Sequence, residues 1–250
     1  MSTAFASDFD GTLYFRTRTP DILPEDLKAI RSYRAAGNLF GFCSGRPVGG
    51  LAPYLPADLE ADFFICSSGA HISGSRGNIF FERTIPFETV REILAVYDRP
   101  DCEGSIHMDG RFYLTREEPF FKNENLPLLT DIESARNGRI HNISFRRPSE
   151  EAAADTARDI NERFGHIVTA FQNVSSIDIV NRECSKGRGL AILKEALQIK
   201  RIAGIGDSMN DLPLIKAADV SFTFPHAPAA LREASDHIVG SVGEALSLFA

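Results

Sequence analysis

Four short polar clusters, each lying just after an apolar run or at a helix start, carry the residue types that could do chemistry in this chain. The first is Asp8-Phe9-Asp10-Gly11-Thr12. Two carboxylates at i and i+2 beyond a strand end reach one crevice if the chain turns there, and Gly11 permits the turn. Close carboxylates repel and raise one pKa unless a cation sits between them. The pair therefore points to a metal site or to a nucleophile with an acid/base partner, and the two can coexist. The second cluster is Ser44-Gly45-Arg46-Pro47. A hydroxyl and open backbone N–H groups at a strand end leading into a helix form an anion cradle. The third is Lys186, within Cys184-Ser185-Lys186-Gly187, a cation at a helix start where the dipole disfavours it. The fourth, Gly206-Asp207-Ser208-Met209-Asn210-Asp211, puts two Asp at i and i+4 around another helix start. Taken singly, each cluster also fits an ordinary turn, a helix cap or a solvated surface residue.

The elements that must position these groups alternate strand and helix at both ends of the chain. Strands are expected at Ala4–Asp8, Leu39–Cys43, Phe63–Cys66, Ile202–Ile205 and Val220–Phe222. Helices are expected at Pro24–Ala36, after Pro47, and at Lys186–Ala196, Asn210–Ala217 and Val242–Phe249. Short, wholly apolar strands alternating with helices predict an α/β fold, a doubly wound parallel sheet. In such a sheet the ligand crevice lies beyond the carboxyl ends of the strands, where three of the four clusters fall. The middle of the chain reads differently. A helix at Phe87–Tyr97 precedes strands at Ser105–Met108 and Arg111–Thr115, with the hairpin dipeptide Asp109-Gly110 between them. A strand at His141–Arg146, a helix at Ser149–Phe164 and strands at His166–Ala170 and Ser176–Val180 follow. This is an α+β module placed inside the α/β core: residues 1–81 and 182–250 form the core, and 82–181 the insertion. Arg116 to Asn137 reads as a long loop or short helices. The pairs Phe80-Phe81 and Phe120-Phe121 read as packing residues.

Composition narrows the function classes. Of 250 residues, 34 are acidic and 27 are Lys or Arg, for a formal charge of −7. That balance argues against a nucleic-acid or anionic-membrane coat, both of which need a basic face. No run approaches the ~20 apolar residues of a membrane span, and no signal-peptide pattern is present. The protein is expected to be soluble and cytoplasmic, a monomer or small homo-oligomer. Its four cysteines are widely spread, with no C-x-x-C, so neither a disulfide framework nor a zinc site is expected. None has an Arg six positions on, which excludes a Cys-based phosphatase. The sequons at Asn142 and Asn173 are chance matches without a secretion signal.

In this order, the Asp-x-Asp-Gly-Thr, Ser-Gly-Arg, isolated Lys and Gly-Asp-x-x-Asn-Asp elements resemble the haloacid dehalogenase superfamily of phosphohydrolases. The 142 positions between Ser44 and Lys186 leave room for a cap inserted there, as in the Cof-like subclass IIB with its type-two α/β cap. The resemblance implies a Rossmann-like core with Asp8 as nucleophile and Asp10 as acid/base. It also implies Ser44, Gly45, Lys186 and Asn210 around the phosphoryl group, and Asp211 in support. Mg²⁺ is the implied cofactor, on Asp8, Asp207 and the Asp10 backbone carbonyl, and the implied substrate is a small phosphate ester. Candidate cap contacts to that substrate are His107, Asn142, Asn173 and Asp178. One position departs from the subclass: Ser68-Gly69-Ala70 stands where many members carry Asn-Gly-Ala. A phosphomutase on the same scaffold and a non-catalytic phosphate-ligand sensor are the alternatives. A dinucleotide-binding protein lacks support, since no G-x-G-x-x-G follows the first strand.

Overall fold

The computed structural model describes residues 3–116 and 126–250. Two sheets organise them. The first contains β1 (Thr3–Ser7), β2 (Leu39–Cys43), β3 (Phe63–Cys66), β4 (His71–Gly74) and β5 (Ile79–Glu82). The second is built from β6 (Glu103–Met108), β7 (Arg111–Leu114), β8 (Ile140–Arg146), β9 (Val168–Asn173) and β10 (Ser176–Asn181). The chain then returns to the first sheet as β11 (Arg201–Ile205), β12 (Val220–Thr223) and β13 (His237–Ile238). The helices are α1 (Pro24–Ala35), α2 (Val48–Leu51), α3 (Phe87–Tyr97), α4 (Glu150–Phe164), α5 (Lys186–Ala196), α6 (Leu212–Ala217), α7 (Ala229–Ala234) and α8 (Val242–Phe249). None of the described helices is long and apolar enough to cross a membrane.

The first sheet runs β13-β12-β11-β1-β2-β3-β4-β5. Strands β13 to β3 are parallel, as expected of a doubly wound sheet. The β4–β5 edge is antiparallel and was not anticipated. The polar run around it hid two short strands whose side chains are only partly apolar. Phe80 and Phe81 there are half-buried against the core, while Phe120-Phe121 lies outside the described residues. Both faces of the sheet are covered. Phe5, Phe40, Phe42 and Phe222 pack under α1 and α8 on one side, and Ala4, Ala6 and Ile65 under α5 and α6 on the other. Alternation along β1 thus buries large rings one way and small methyls the other, which is why its sequence reads as unbroken apolar. Strand β1 is flanked by β2 and β11, so the order of the chain reverses there and the loops after these strands open one crevice.

The second sheet is wholly antiparallel, in the order β7-β6-β8-β10-β9. Its outer face carries Ile106, Ile143, Phe145, Ile177 and Ile179, packed on α3 and α4. The alternate residues Ser105, His107, Ser144, Ser176 and Asp178 face the crevice of the first sheet. A period of two separates a greasy face from a polar one. Ser149 caps α4 by accepting a hydrogen bond from the Ala152 N–H at 3.1 Å, and Ser185 caps α5 in the same way from Arg188.

Candidate active site

The loops after β1, β2 and β11 bring the sequence clusters together, and α5 adds the lysine. Asp8 lies just beyond β1, and its carboxylate accepts a 2.7 Å hydrogen bond from Lys186 Nζ. The same ammonium donates to Asp211 Oδ1 at 2.5 Å. The remaining Asp211 oxygen accepts the backbone N–H groups of Asp207 and Ser208, each at 3.1 Å. Asp211 is therefore fully engaged in fixing Lys186 and the loop. Lys186 is buried. Burial alone would lower its pKa, but Asp211 and Asp8 more than offset that, so the ammonium is retained.

Gly11 has φ +83°, and a Cβ there would lie 2.6 Å from the Asp207 carboxylate. Glycine is thus required for both the turn and the approach. Thr12 Oγ1 donates to Asp207 Oδ1 at 2.7 Å. The carboxylates of Asp8, Asp207 and Asp211 lie with oxygens within 4.8 Å of one another. Burial, reinforced by the charge of Asp211, pushes the Asp8 carboxyl well up and Asp207 up to about 6. Such crowded hard oxygens fit a divalent cation of the Mg²⁺ type, which would relieve the repulsion. With Asp211 holding Lys186 and the loop, Asp8 and Asp207 are the carboxylates of this group left to such an ion.

This electrostatic strain gives a stability prediction for metal-free protein. The folded pKa of Asp207 exceeds its ordinary value of 3.8, so protonation favours the fold. That contribution is complete below the ordinary value and is lost as pH rises through about 6. Asp207→Asn keeps the oxygen that accepts from Thr12 and removes the charge. In chelator at pH 7.5, chemical denaturation should show the variant more stable than wild type by roughly 2–3 kcal/mol, with the gap closing towards pH 4. Equal stability at both pH values would contradict it.

Arg46 is where the sequence reading was least complete. It is buried, and its Nε and Nη2 donate to the two oxygens of Asp10 at 2.6 and 2.7 Å. Its Nη1 donates to the Gly50 carbonyl at 3.1 Å, and the guanidinium lies 4.5 Å from the Tyr54 ring centre. This planar two-point grip sets the direction of the Asp10 carboxylate. Arg46→Ala should lower kcat by roughly 10–100-fold with a smaller change in KM, if the grip positions a proton-transfer group. A change confined to KM would argue for a substrate contact instead.

Ser44 is buried, and its Oγ accepts the Arg46 N–H at 3.1 Å. The loop after β3 wraps it: Ser68 donates its N–H to the Ser44 carbonyl at 3.1 Å, and Ser67 to that of Arg46 at 2.9 Å. Ser67 and Ser68 have φ of 48° and 52°, a conformation costing non-glycine residues on the order of 1–3 kcal/mol each. It aims the Ser68 hydroxyl at Asp178 Oδ2, 3.1 Å away in the second sheet. A Cβ at Gly45 would sit 2.6 Å from that same Asp178 oxygen, so the two sheets meet tightly here. Ser208 Oγ donates to Asn210 Oδ1 at 2.7 Å and also reaches Asn173 Oδ1 at 3.1 Å.

Between the sheets these groups enclose a cavity of about 210 Å³. Asp8, Asp10, Ser44, Gly45 and Asn210 line its floor. Three of the anticipated contacts from the second sheet, His107, Asn173 and Asp178, line its roof. Asn142 is fully buried and is not part of the lining. Burial pushes His107 down to about 3, so its ring is neutral, and its Nε2 has no hydrogen-bond partner. Sequence reading missed Arg16, Glu103, Ser105, Ser144, Arg146 and Ser176 in the lining. The available signal was the period of two: each of the five on β6, β8 and β10 alternates with a residue of the packed face.

A crevice at the switch point of a doubly wound sheet is here roofed by an inserted antiparallel sheet and floored by paired carboxylates, the arrangement of a Rossmann-like hydrolase with a cap. The haloacid dehalogenase-like hydrolase family matches residues 5–245, and the chain belongs to that family. A phosphoglycolate phosphatase from Methanothermobacter thermautotrophicus is 30% identical over 243 residues, covering 95% of this chain and 92% of the relative. The fold is shared with a haloalkanoate-superfamily phosphatase from Bacteroides thetaiotaomicron, with TM-score 0.80, 19% identity and coverage of 100% and 95% of the two chains. It is shared equally with a subclass IIB sugar phosphatase of the same superfamily, with TM-score 0.81, 18% identity and coverage of 99% and 98%.

Proposed function

We propose that this chain is a Mg²⁺-dependent phosphohydrolase of small phosphorylated metabolites, sugar phosphates or related esters, working through an aspartyl-phosphate on Asp8. The observation that carries the reading is Asp8 held by a buried lysine on the floor of the cavity between the sheets, with Asp10 two residues on. In this reading residues 1–81 and 182–250 are the catalytic core and 82–181 the cap. An Asp8 oxygen attacks phosphorus while the bond to the leaving oxygen breaks, and Asp10 supplies the proton that oxygen needs. Asp10 then takes a proton from the water that attacks phosphorus, and the Asp8–phosphate bond breaks to release phosphate. Lys186, Ser44, Asn210 and the Gly45 backbone hold the phosphoryl oxygens where charge develops. Mg²⁺ on Asp8, Asp207 and the Asp10 carbonyl would supply positive charge beside the same group. The neutral His107 ring and Asp178 are placed to read hydroxyl groups of the substrate from the cap.

The test is a panel of phosphorylated metabolites with Mg²⁺, scored for free phosphate. Release from at least one member, abolished by chelator and restored by Mg²⁺, is expected. No release across the panel, or full turnover in excess chelator, would overturn the proposal. Isomerised sugar phosphate without free phosphate would favour a phosphomutase.

A further inference from the structure

We propose a second metal site, of the zinc class, at the joint between the two sheets, formed by His71, Glu82 and His141. The cross-strand register places His71 opposite Glu82 on the β4–β5 edge of the first sheet. His141 comes from β8 of the second sheet. The ligand-type atoms of all three lie within 4.8 Å of one another. Glu82 Oε1 is 2.9 Å from His141 Nε2 and 3.5 Å from His71 Nδ1. In a tetrahedral zinc site with bonds of about 2.0–2.2 Å, neighbouring ligand atoms stand roughly 3.3–3.5 Å apart. The two contacts to Glu82, at 2.9 and 3.5 Å, are therefore near the required spacing without a metal. None of its members lines the catalytic cavity.

One further observation points to a ligand there. His71 Nδ1 is buried and makes no well-formed hydrogen bond, Glu82 Oε1 standing 3.5 Å away, a state that costs free energy unless something fills it. The chemistry differs from that of the catalytic site. Carboxylate and carbonyl oxygens suit Mg²⁺, whereas two imidazoles and a carboxylate suit Zn²⁺ or Co²⁺. Arg139 now partners Glu82, with Nη1 3.3 and 3.4 Å from its two oxygens. Its side chain is 53% exposed and also holds Asp109 at 2.9 Å, so it can leave Glu82 and keep a partner. Because the ligands come from both sheets, an ion bound there ties the second sheet to the first beside the linkers that join them. Asn181 Nδ2, which donates to the Thr84 carbonyl at 3.0 Å, marks that junction.

The experiment titrates Zn²⁺ into the full chain in excess Mg²⁺, which keeps the oxygen-rich site filled, against a chromophoric chelator. A parallel titration reads the visible absorption of Co²⁺. One Zn²⁺ per chain is expected, with a nitrogen-ligated tetrahedral Co²⁺ spectrum and a rise in melting temperature on Zn²⁺ addition. His141→Ala and the near-isosteric Glu82→Gln should weaken binding by at least about tenfold. Arg139→Ala, at an exposed position, should strengthen it by removing the competing cation. Absence of saturable Zn²⁺ binding would overturn the proposal, as would unchanged affinity in His71→Ala/His141→Ala protein that melts cooperatively. These readouts need no turnover, so they stand or fall separately from the phosphohydrolase reading.

Discussion

Asp8→Asn protein is expected to lose at least about 10⁴-fold in kcat against any phosphate ester the wild type hydrolyses, while remaining folded. The amide has the shape of the carboxylate but cannot attack phosphorus to form the covalent intermediate. Lys186 keeps Asp211 as partner, so the substitution strands no buried cation. It also removes one of three crowded carboxylates, and the metal-free variant should melt no lower than wild type. Steady-state phosphate release and a melting curve on the same preparation check both halves. Turnover near the wild-type rate in the folded variant would remove Asp8 from the role of nucleophile. A labelled phosphoryl group trapped on wild type and absent from Asp8→Asn would support the covalent step directly.

Lys186→Met should act on stability as well as on activity. The ammonium sits between Asp8 and Asp211 with its side chain only 1% exposed, and the two carboxylates are 7% and 0% exposed. Removing one partner of a buried ion pair leaves charge without compensation, at a cost of about 3–5 kcal/mol. For a chain of this size that is roughly 6–20 °C in melting temperature. The sign with pH follows from the carboxylates. Burial and mutual repulsion already hold the Asp8 carboxyl above its ordinary range, and loss of the cation raises it further. Protonation then relieves the variant, so its deficit should be large at pH 8 and small near pH 5. Mg²⁺ should recover part of the deficit at pH 8 by replacing the missing charge. Activity should fall by at least about 10²–10³-fold, since in the proposed mechanism the cation faces charge that grows during transfer. A melting temperature within 2–3 °C of wild type across this pH range, on the order of a single kcal/mol, would contradict the account.

The clusters at Asp8, Ser44 and Asp207 were legible because each is local. A few residues beyond an apolar strand must turn, and the polar types that fill such turns stand out against the buried strands before them. Helices such as Phe87–Tyr97 and Lys186–Ala196 were legible to the residue, from their apolar spacing and flanking breakers. The β4–β5 edge was not, because β4 mixes polar with apolar residues, the side chains of β5 are only half-buried, and neither shows a strong alternation. Helix α7 and strand β13 were missed for a similar reason: they are six and two residues long, too short to show a period.

The sequence by itself determined the doubly wound core, the inserted α+β segment and the floor of the cavity. Those features depend on local pattern and on the rule that parallel strands deliver their loops to one edge. The tertiary structure alone decided which charges meet. Arg46 grips Asp10 across 36 positions, Ser68 reaches Asp178 across 110, and His141 joins Glu82 across 59. The first pair is set by the parallel pairing of β1 with β2, the other two by the register of the two sheets against one another. Register is a sum over many packed side chains, so no single residue type or spacing announces it.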